Sequence, residues 1–268
     1  MLSKAQLQAH RLNPEDPYFR ELLGNPAAAG LSPEDLAGKD PATANEIVLG
    51  EYFAKISAFT GKIASELLMH AQWGGAQPDW FDHRHHLLNP ETYFTDFWSM
   101  SGDNVVEVLP LDGTVLNLCA GDAFYDYYFF RHRAAQIDCF DINANAQRIY
   151  LRFHQAKNIR YTLGDILALE PQEQSYDVVV IRGAIEHFSR ESQQKIFRIA
   201  KRALKVGGWF CGDTPANREA EKMLSAHECE WADETEMRRE LVCVFDHVRT
   251  RTLRSRQRET LFWQCQKT

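Results

Sequence analysis

From Leu111 onward, short apolar runs alternate with helical stretches, and no other feature of the sequence narrows the fold as far. Val115–Cys119, Gln136–Phe140, Ile159–Leu163, Asp177–Ile181 and Trp209–Gly212 read as strands. Asp122–His132, Ala144–Gln155 and Ser189–Leu204 read as the helices between them. A parallel strand pair needs a long crossover, so strands spaced by helices of this length imply a parallel sheet covered on both faces. The tail breaks the rhythm. Leu241–Arg254 and Glu259–Gln266 are strand-like with little between them, which predicts an antiparallel hairpin. The fold class is therefore α/β, a seven-stranded and mostly parallel sheet closed by an antiparallel C-terminal hairpin.

Before this, residues 1–110 read as a helical N-terminal segment, and residues 111–268 as the sheet domain. Asn13-Pro14-Glu15-Asp16, Ser32-Pro33-Glu34-Asp35 and Asn89-Pro90-Glu91-Thr92 share one local logic. A polar side chain caps the first free N–H groups, Pro fits the first helical position, and acids meet the positive end of the dipole. In Glu46–Gln72, the stripe Tyr52, Ile56, Phe59, Ile63 and Leu67 recurs at helical spacing and predicts a face packed on a core. The 30 Lys+Arg against 37 Asp+Glu give a net charge of −7, which offers no basic field for nucleic acid. The N-terminus lacks an apolar signal segment, no run reaches bilayer length, and the six cysteines are scattered, so a soluble, cytoplasmic, reduced chain is expected.

The chemistry concentrates at the carboxyl ends of the strands, where open α/β sheets bind ligands. The turn after the first strand, Asn117-Leu118-Cys119-Ala120-Gly121-Asp122-Ala123, is built of small residues that let backbone approach a ligand. Asp141 follows Asn117 by 24 residues, at the tip of the second strand, where an acid can accept two ribose hydroxyls or cap a helix. Asp165 follows by another 24, at the tip of the third. Three polar tips in phase line one crevice.

Leu116–Asp122, Phe140-Asp141-Ile142, Gly164-Asp165-Ile166, Tyr176–Phe188 and Ala203–Trp209, taken in order, resemble the motif series of the class I, Rossmann-like S-adenosylmethionine (SAM)-dependent methyltransferases. The resemblance covers the chain from about Asp112 to its end. It implies SAM as cofactor, with Asn117, Cys119, Ala120 and Gly121 around the methionine part and Asp141 on the ribose, followed by Ile142. It also implies Asp165 at the adenine amino group with Ile166 on the ring face, and Arg182 and Gly183 bordering the methyl. Family turns begin with an acid and carry three alternating glycines; the corresponding residues here are Asn117, Cys119, Gly121 and Ala123.

Catalysis of methyl transfer is mostly alignment, plus removal of a proton when the acceptor is a hydroxyl. Glu186-His187 lies just past the fourth strand, so His187 is the candidate base with Glu186 orienting it; a local cap and a pocket lining are the plainer alternatives. No metal is expected, since neighbours such as His83-Arg84-His85-His86 rarely converge on one ion. That cluster reads as a solvated loop or a lid contact. Arg249, Arg251, Arg254, Arg256 and Arg258 read as a charged edge strand or a phosphate strip. The leading function is SAM-dependent methylation of an oxygen or nitrogen of a small-molecule acceptor, sugar-like or natural-product-like, under a helical N-terminal lid. An RNA methyltransferase and a catalytically silent SAM-binding scaffold are the alternatives. A nicotinamide dehydrogenase lacks its glycine spacing here. Oligomeric state, acceptor and pathway are not written in the sequence.

Overall fold

The computed structural model describes residues 23–73, 83, 85–88, 97–219, 223, 225–254 and 258–268. The chain packs as two compact units, residues 1–74 with 87–89, and residues 75–86 with 90–268. In the first, helix α1 (Pro41–Trp73) starts on Asp40, whose carboxylate accepts from the N–H groups of Ala42 and Thr43. At the head of the turn Pro33–Leu36 it is Asp35 that caps, accepting from the Ser32 N–H at 2.7 Å and from the Ser32 hydroxyl at 2.8 Å. The caps at Asn13 and Asn89 lie outside the described residues. The α1 stripe differs from expectation. Tyr52 packs beside Ala29 and Val48, but Phe59 and Leu67 are 66% and 65% exposed, so the described residues give that stripe no core.

The second unit is built on β1 (Gly113–Leu118), β2 (Ala134–Asp141), β3 (Ile159–Leu163), β4 (Tyr176–Arg182), β5 (Leu204–Pro215), β6 (His247–Arg254) and β7 (Glu259–Gln266). They form one sheet in the order β3-β2-β1-β4-β5-β7-β6. The first five are parallel, and β7 runs antiparallel between β5 and β6. One apolar layer holds Leu116, Leu118, Val179, Ile181, Phe197 and Trp263; the other holds Val115, Ile137, Val178, Val180 and Phe130. Successive strand residues thus feed opposite layers, as burial of a parallel sheet on both faces requires. The strand order reverses between β1 and β4, which opens a crevice beyond their carboxyl ends.

Three elements depart from the sequence reading. Helix α2 (Phe97–Val106) belongs with the sheet rather than with the N-terminal segment. Its Ser101 donates to Asp213 at 2.7 Å, and the buried Asn104 amide donates to the carbonyls of Gly212 and Trp263. Leu241 is not in a strand. It sits in helix α5 (Glu234–Val242), which Asp233 caps and which buries Met237 and Leu241 one turn apart, so β6 starts only at His247. The helices after β1 and β2 widen into π-turns at Asp126–Phe130 and Tyr150–His154, the latter ending helix α3 (Ala144–Ile149). Helix α4 (Arg190–Ala203) precedes β5.

Replacing Asn104 with Ala leaves two buried carbonyls without their side-chain donor. The expected loss is about 1–3 kcal/mol of unfolding free energy, read as a lower midpoint at unchanged slope in chemical denaturation.

Candidate active site

The turn after β1 has an uncommon backbone. Cys119, Gly121 and Ala123 all adopt left-handed φ, at 58°, 56° and 56°. These are the alternating positions at which the resembled family carries glycine, so the conformation persists where two of the glycines do not. A left-handed residue with a Cβ costs roughly 1–2 kcal/mol, and such strain gathers at ligand sites. At Gly121 and Gly183, the latter with φ 51°, a built Cβ would meet no atom within 4 Å, so both backbones border open space.

Asp141 ties this turn to the tip of β2. Its carboxylate accepts from the Gly121 N–H and from the Asn143 N–H, each at 2.8 Å, and burial raises its pKa. Asn143 itself caps α3, accepting from Asn145 and Ala146. The Ala120 N–H donates to the Phe140 carbonyl at 3.0 Å, which closes the turn against the same strand. Asp165 is exposed and accepts from the Leu167 N–H. Ile142 is 73% exposed, whereas Ile166 is turned into the core at 3%. Burial, then the negative charges of Asp141, Glu186 and Asp165, push the Cys119 thiol pKa up. The carboxyl groups of Asp141, Glu186 and Asp165 thus all act on the turn after β1.

Asn117 is buried, and its amide donates to Asp126 at 2.8 Å. Asp126 escaped the sequence reading, although an acid in the apolar run Ala123–Phe130 was a visible anomaly. Burial pushes its pKa up to about 6, against the Asn117 bond, the Cys139 thiol and Arg182. Its Oδ1 has no hydrogen-bond partner among the described residues. Asp122 is buried too, but His83, His154 and the Phe124 N–H outweigh the cost of burial and hold its carboxyl below the ordinary value. His83 reaches Asp122 through Nδ1 at 3.2 Å and stacks on Phe124, so one residue of the His83–His86 cluster packs on the turn after β1. Arg84 and the side chains of His85 and His86 lie outside the described residues.

On the far side of the crevice, the Arg182 guanidinium stands 3.3 Å over the Tyr125 ring and 3.3 Å from Asp213. Past β4, the Glu186 carboxylate is buried and accepts from Thr214 Oγ1 at 2.9 Å, with a pKa raised by burial to about 7. It makes no hydrogen bond to His187, so the expected orienting role of Glu186 is not what the geometry gives. His187 is oriented instead by the Ala226 carbonyl, 3.1 Å from its Nδ1. His227, unnoticed in the sequence, packs edge-on against His187 with ring centres 4.8 Å apart, and its Nδ1 is bonded to Glu230. The two segments are joined: the Glu186 carbonyl accepts from Glu228 and Cys229, and the Gln193 amide from α4 donates to Ile185, Phe188 and Cys229.

The described arginines of the hairpin have separate partners. Arg249 lies over Trp209, Arg251 over Phe262, and Arg254 pairs with Glu259 at 3.0 Å. Arg258 is largely buried, which lowers its pKa, with Asp213, Glu186 and Tyr125 acting the other way. Arg256 lies outside the described residues.

Two measurements test this geometry. Between about pH 4 and 6 the folded chain keeps the Asp126 proton that the unfolded chain has released, so this group makes stability fall as pH rises through that window. Asp126→Asn should remove roughly 2–3 kcal/mol of that decline, read as the difference between the two stability–pH curves. Cys119→Gly should relieve the left-handed strain and raise stability by about 1 kcal/mol in chemical denaturation.

Comparisons with known proteins bear on the domain and its fold. A methyltransferase-domain family model matches residues 115–208. No curated protein matches the sequence. A candidate methyltransferase from Bacillus halodurans superposes with a TM-score of 0.51 at 13% identity, covering 63% of this chain and 99% of that one. A candidate SAM-dependent methyltransferase from Listeria monocytogenes gives 0.50 at 14%, covering 62% and 97%. The phosphoethanolamine N-methyltransferase 2 of Haemonchus contortus, solved with phosphomonomethylethanolamine and S-adenosylhomocysteine, gives 0.55 at 13%, covering 65% of this chain and 55% of that one. At these identities the structural likeness speaks for the fold, and the family model speaks for the domain. Residues 115–208 thus match a methyltransferase domain, and the sheet around them has the fold seen in SAM-dependent methyltransferases.

Proposed function

We propose that this chain methylates an oxygen or nitrogen of a small-molecule acceptor held beyond the ends of β4 and β5. S-adenosylmethionine supplies a methyl group on a sulfonium, an electrophile that needs alignment more than activation. The observation that carries the reading is the crevice itself. A left-handed turn with open backbone at Gly121 and Gly183 lies among Asp141, Asp165 and Glu186.

Within it, the turn Asn117–Gly121, with Cys119 and Ala120, would hold the methionine end. Asn117 carries no charge, but Asp126 behind it does when ionised, and their hydrogen bond passes that charge toward the tip of β1. Asp141 would exchange one backbone N–H for the ribose hydroxyls. Asp165 would meet the adenine amino group. With Ile166 buried, the exposed Ile142 is the apolar side chain free to cover the adenosine. Arg182 and Gly183 would border the methyl. Glu186 and His187 stand past the same strand, so they would face the acceptor. A small acceptor fits the net charge of −7 and the dispersal of the hairpin arginines, neither of which favours an RNA backbone. No helix among the described residues is long and apolar enough to cross a membrane.

Calorimetry with SAM and S-adenosylhomocysteine tests the cofactor site. Asp141→Asn, which keeps an oxygen for one backbone N–H, should weaken both ligands by roughly 1–3 kcal/mol and lower the unfolding midpoint through the N–H left without an acceptor. An unchanged Kd would leave Asp141 as a turn residue only. Transfer of labelled methyl to small hydroxyl and amine acceptors, run beside RNA, tests the acceptor class. Label appearing only in RNA would overturn the small-molecule reading.

A further inference from the structure

Glu186, His187 and His227 come from two segments forty residues apart in the chain, yet one donor atom of each lies within 4.8 Å of the other two. Both imidazoles are held the same way. His187 Nδ1 is bonded to the Ala226 carbonyl and His227 Nδ1 to the Glu230 carboxylate. A carbonyl and a carboxylate accept, so in each ring Nδ1 carries a proton, and the neutral ring then has its lone pair on Nε2. Neither Nε2 has a hydrogen-bond partner among the described residues. An acceptor behind one ring nitrogen, with a lone pair on the other, is the arrangement that orients metal-binding histidines. The Glu186 carboxylate is buried and accepts one neutral hydrogen bond, from Thr214.

We propose that these three side chains bind a divalent transition cation at the acceptor end of the crevice, and that this ion receives a hydroxyl oxygen of the acceptor. Two imidazoles and one carboxylate are a donor set for zinc, cobalt or iron rather than for magnesium, which prefers oxygen ligands and water. Three protein ligands leave positions open, as ions that act on substrates do. Tetrahedral bonds of about 2.1 Å put donors about 3.4 Å apart, so a pair now 4.8 Å apart closes on an ion by approaching about 1.4 Å. The exposed ring of His187 is the part free to make that shift.

This inference rests on the methyltransferase reading above and narrows its acceptor to a hydroxyl. The hydroxyl held by the ion releases its proton to water. Its oxygen then bonds the methyl carbon while the C–S bond breaks, and the bonding pair stays on sulfur. The ion serves as a Lewis acid and does not change oxidation state. His187 here is a ligand through Nε2 and not the base that the sequence suggested.

Cobalt(II) added to chelator-treated full-length protein gives a visible absorption spectrum that reports nitrogen ligation. One equivalent should bind at micromolar concentration, and a thousandfold excess of magnesium should not displace it. His187→Ala, at an exposed position, should weaken cobalt binding at least tenfold while leaving SAM affinity by calorimetry within twofold. His227→Ala should act likewise, with circular dichroism checking its fold. Failure of the wild-type chain to bind cobalt, or binding unchanged in His187→Ala, would overturn the metal site. SAM affinity is measured separately, so loss of SAM binding with cobalt binding intact would sink the methyltransferase assignment of the crevice instead.

Discussion

Everything in the crevice hangs on the backbone of one turn. Cys119, Gly121 and Ala123 each take a conformation that disfavours a Cβ, and two of them carry one. The strain persists because neighbours over-determine it: Asp141 holds the Gly121 N–H, Phe140 accepts from Ala120, and Tyr161 donates to the Gly121 carbonyl. Were the turn to relax, the tips of β1 and β2 would lose their common wall, and the carboxyl groups of Asp141, Glu186 and Asp165 would no longer act on it together. The sheet supplies the stiffness for this. β1 is paired on both sides, by β2 and β4, so its end cannot drift.

Charge is arranged around that wall in two ways. Near the turn, the buried acids Asp122 and Asp126 meet opposite fates a few residues apart. Asp122 has His83 and His154 to offset burial, while Asp126 has an amide, a thiol and a more distant guanidinium. The carboxyl group bonded to Asn117 at the head of the turn is thus that of Asp126, nine residues on. Across the crevice, Arg182 is held between an aromatic face and Asp213, and Ser101 from α2 fixes that aspartate in turn. Helix α2 therefore contributes to the site through a bond behind it.

The sequence disclosed what local chemistry and periodicity encode. The strands were legible because apolar runs bounded by helices leave few arrangements, and β3 and β7 fall on the expected residues. The positions of Asp141 and Asp165 at the ends of β2 and β3 were legible from phase. What escaped depends on pairings distant in the chain. Nothing around His227 marks it as a neighbour of His187, since the turn joining them is made by backbone groups of Glu186, Glu228 and Cys229. Glu186 was read as the partner of its sequence neighbour, but β5 offers it Thr214 first. Leu241 looked like a strand residue by composition, and Asp233, which begins a helix eight residues earlier, decided otherwise. The α1 stripe was read as a core face, though periodicity says only that apolar residues share a side.

The Gln193 amide touches the carbonyls of Ile185, Phe188 and Cys229, and so does more than finish a hydrogen-bond count. Ordering a loop of forty residues to bring two distant side chains together carries a closure entropy that grows with loop length. Here that entropy is spent during folding, because α4 fixes both loop segments whether or not any ligand is present. A guest at the two histidines then meets groups already assembled, and less of its binding free energy is lost to ordering them. The tightness of whatever binds there is accordingly set in part by a glutamine that touches neither the guest nor the residues that hold it.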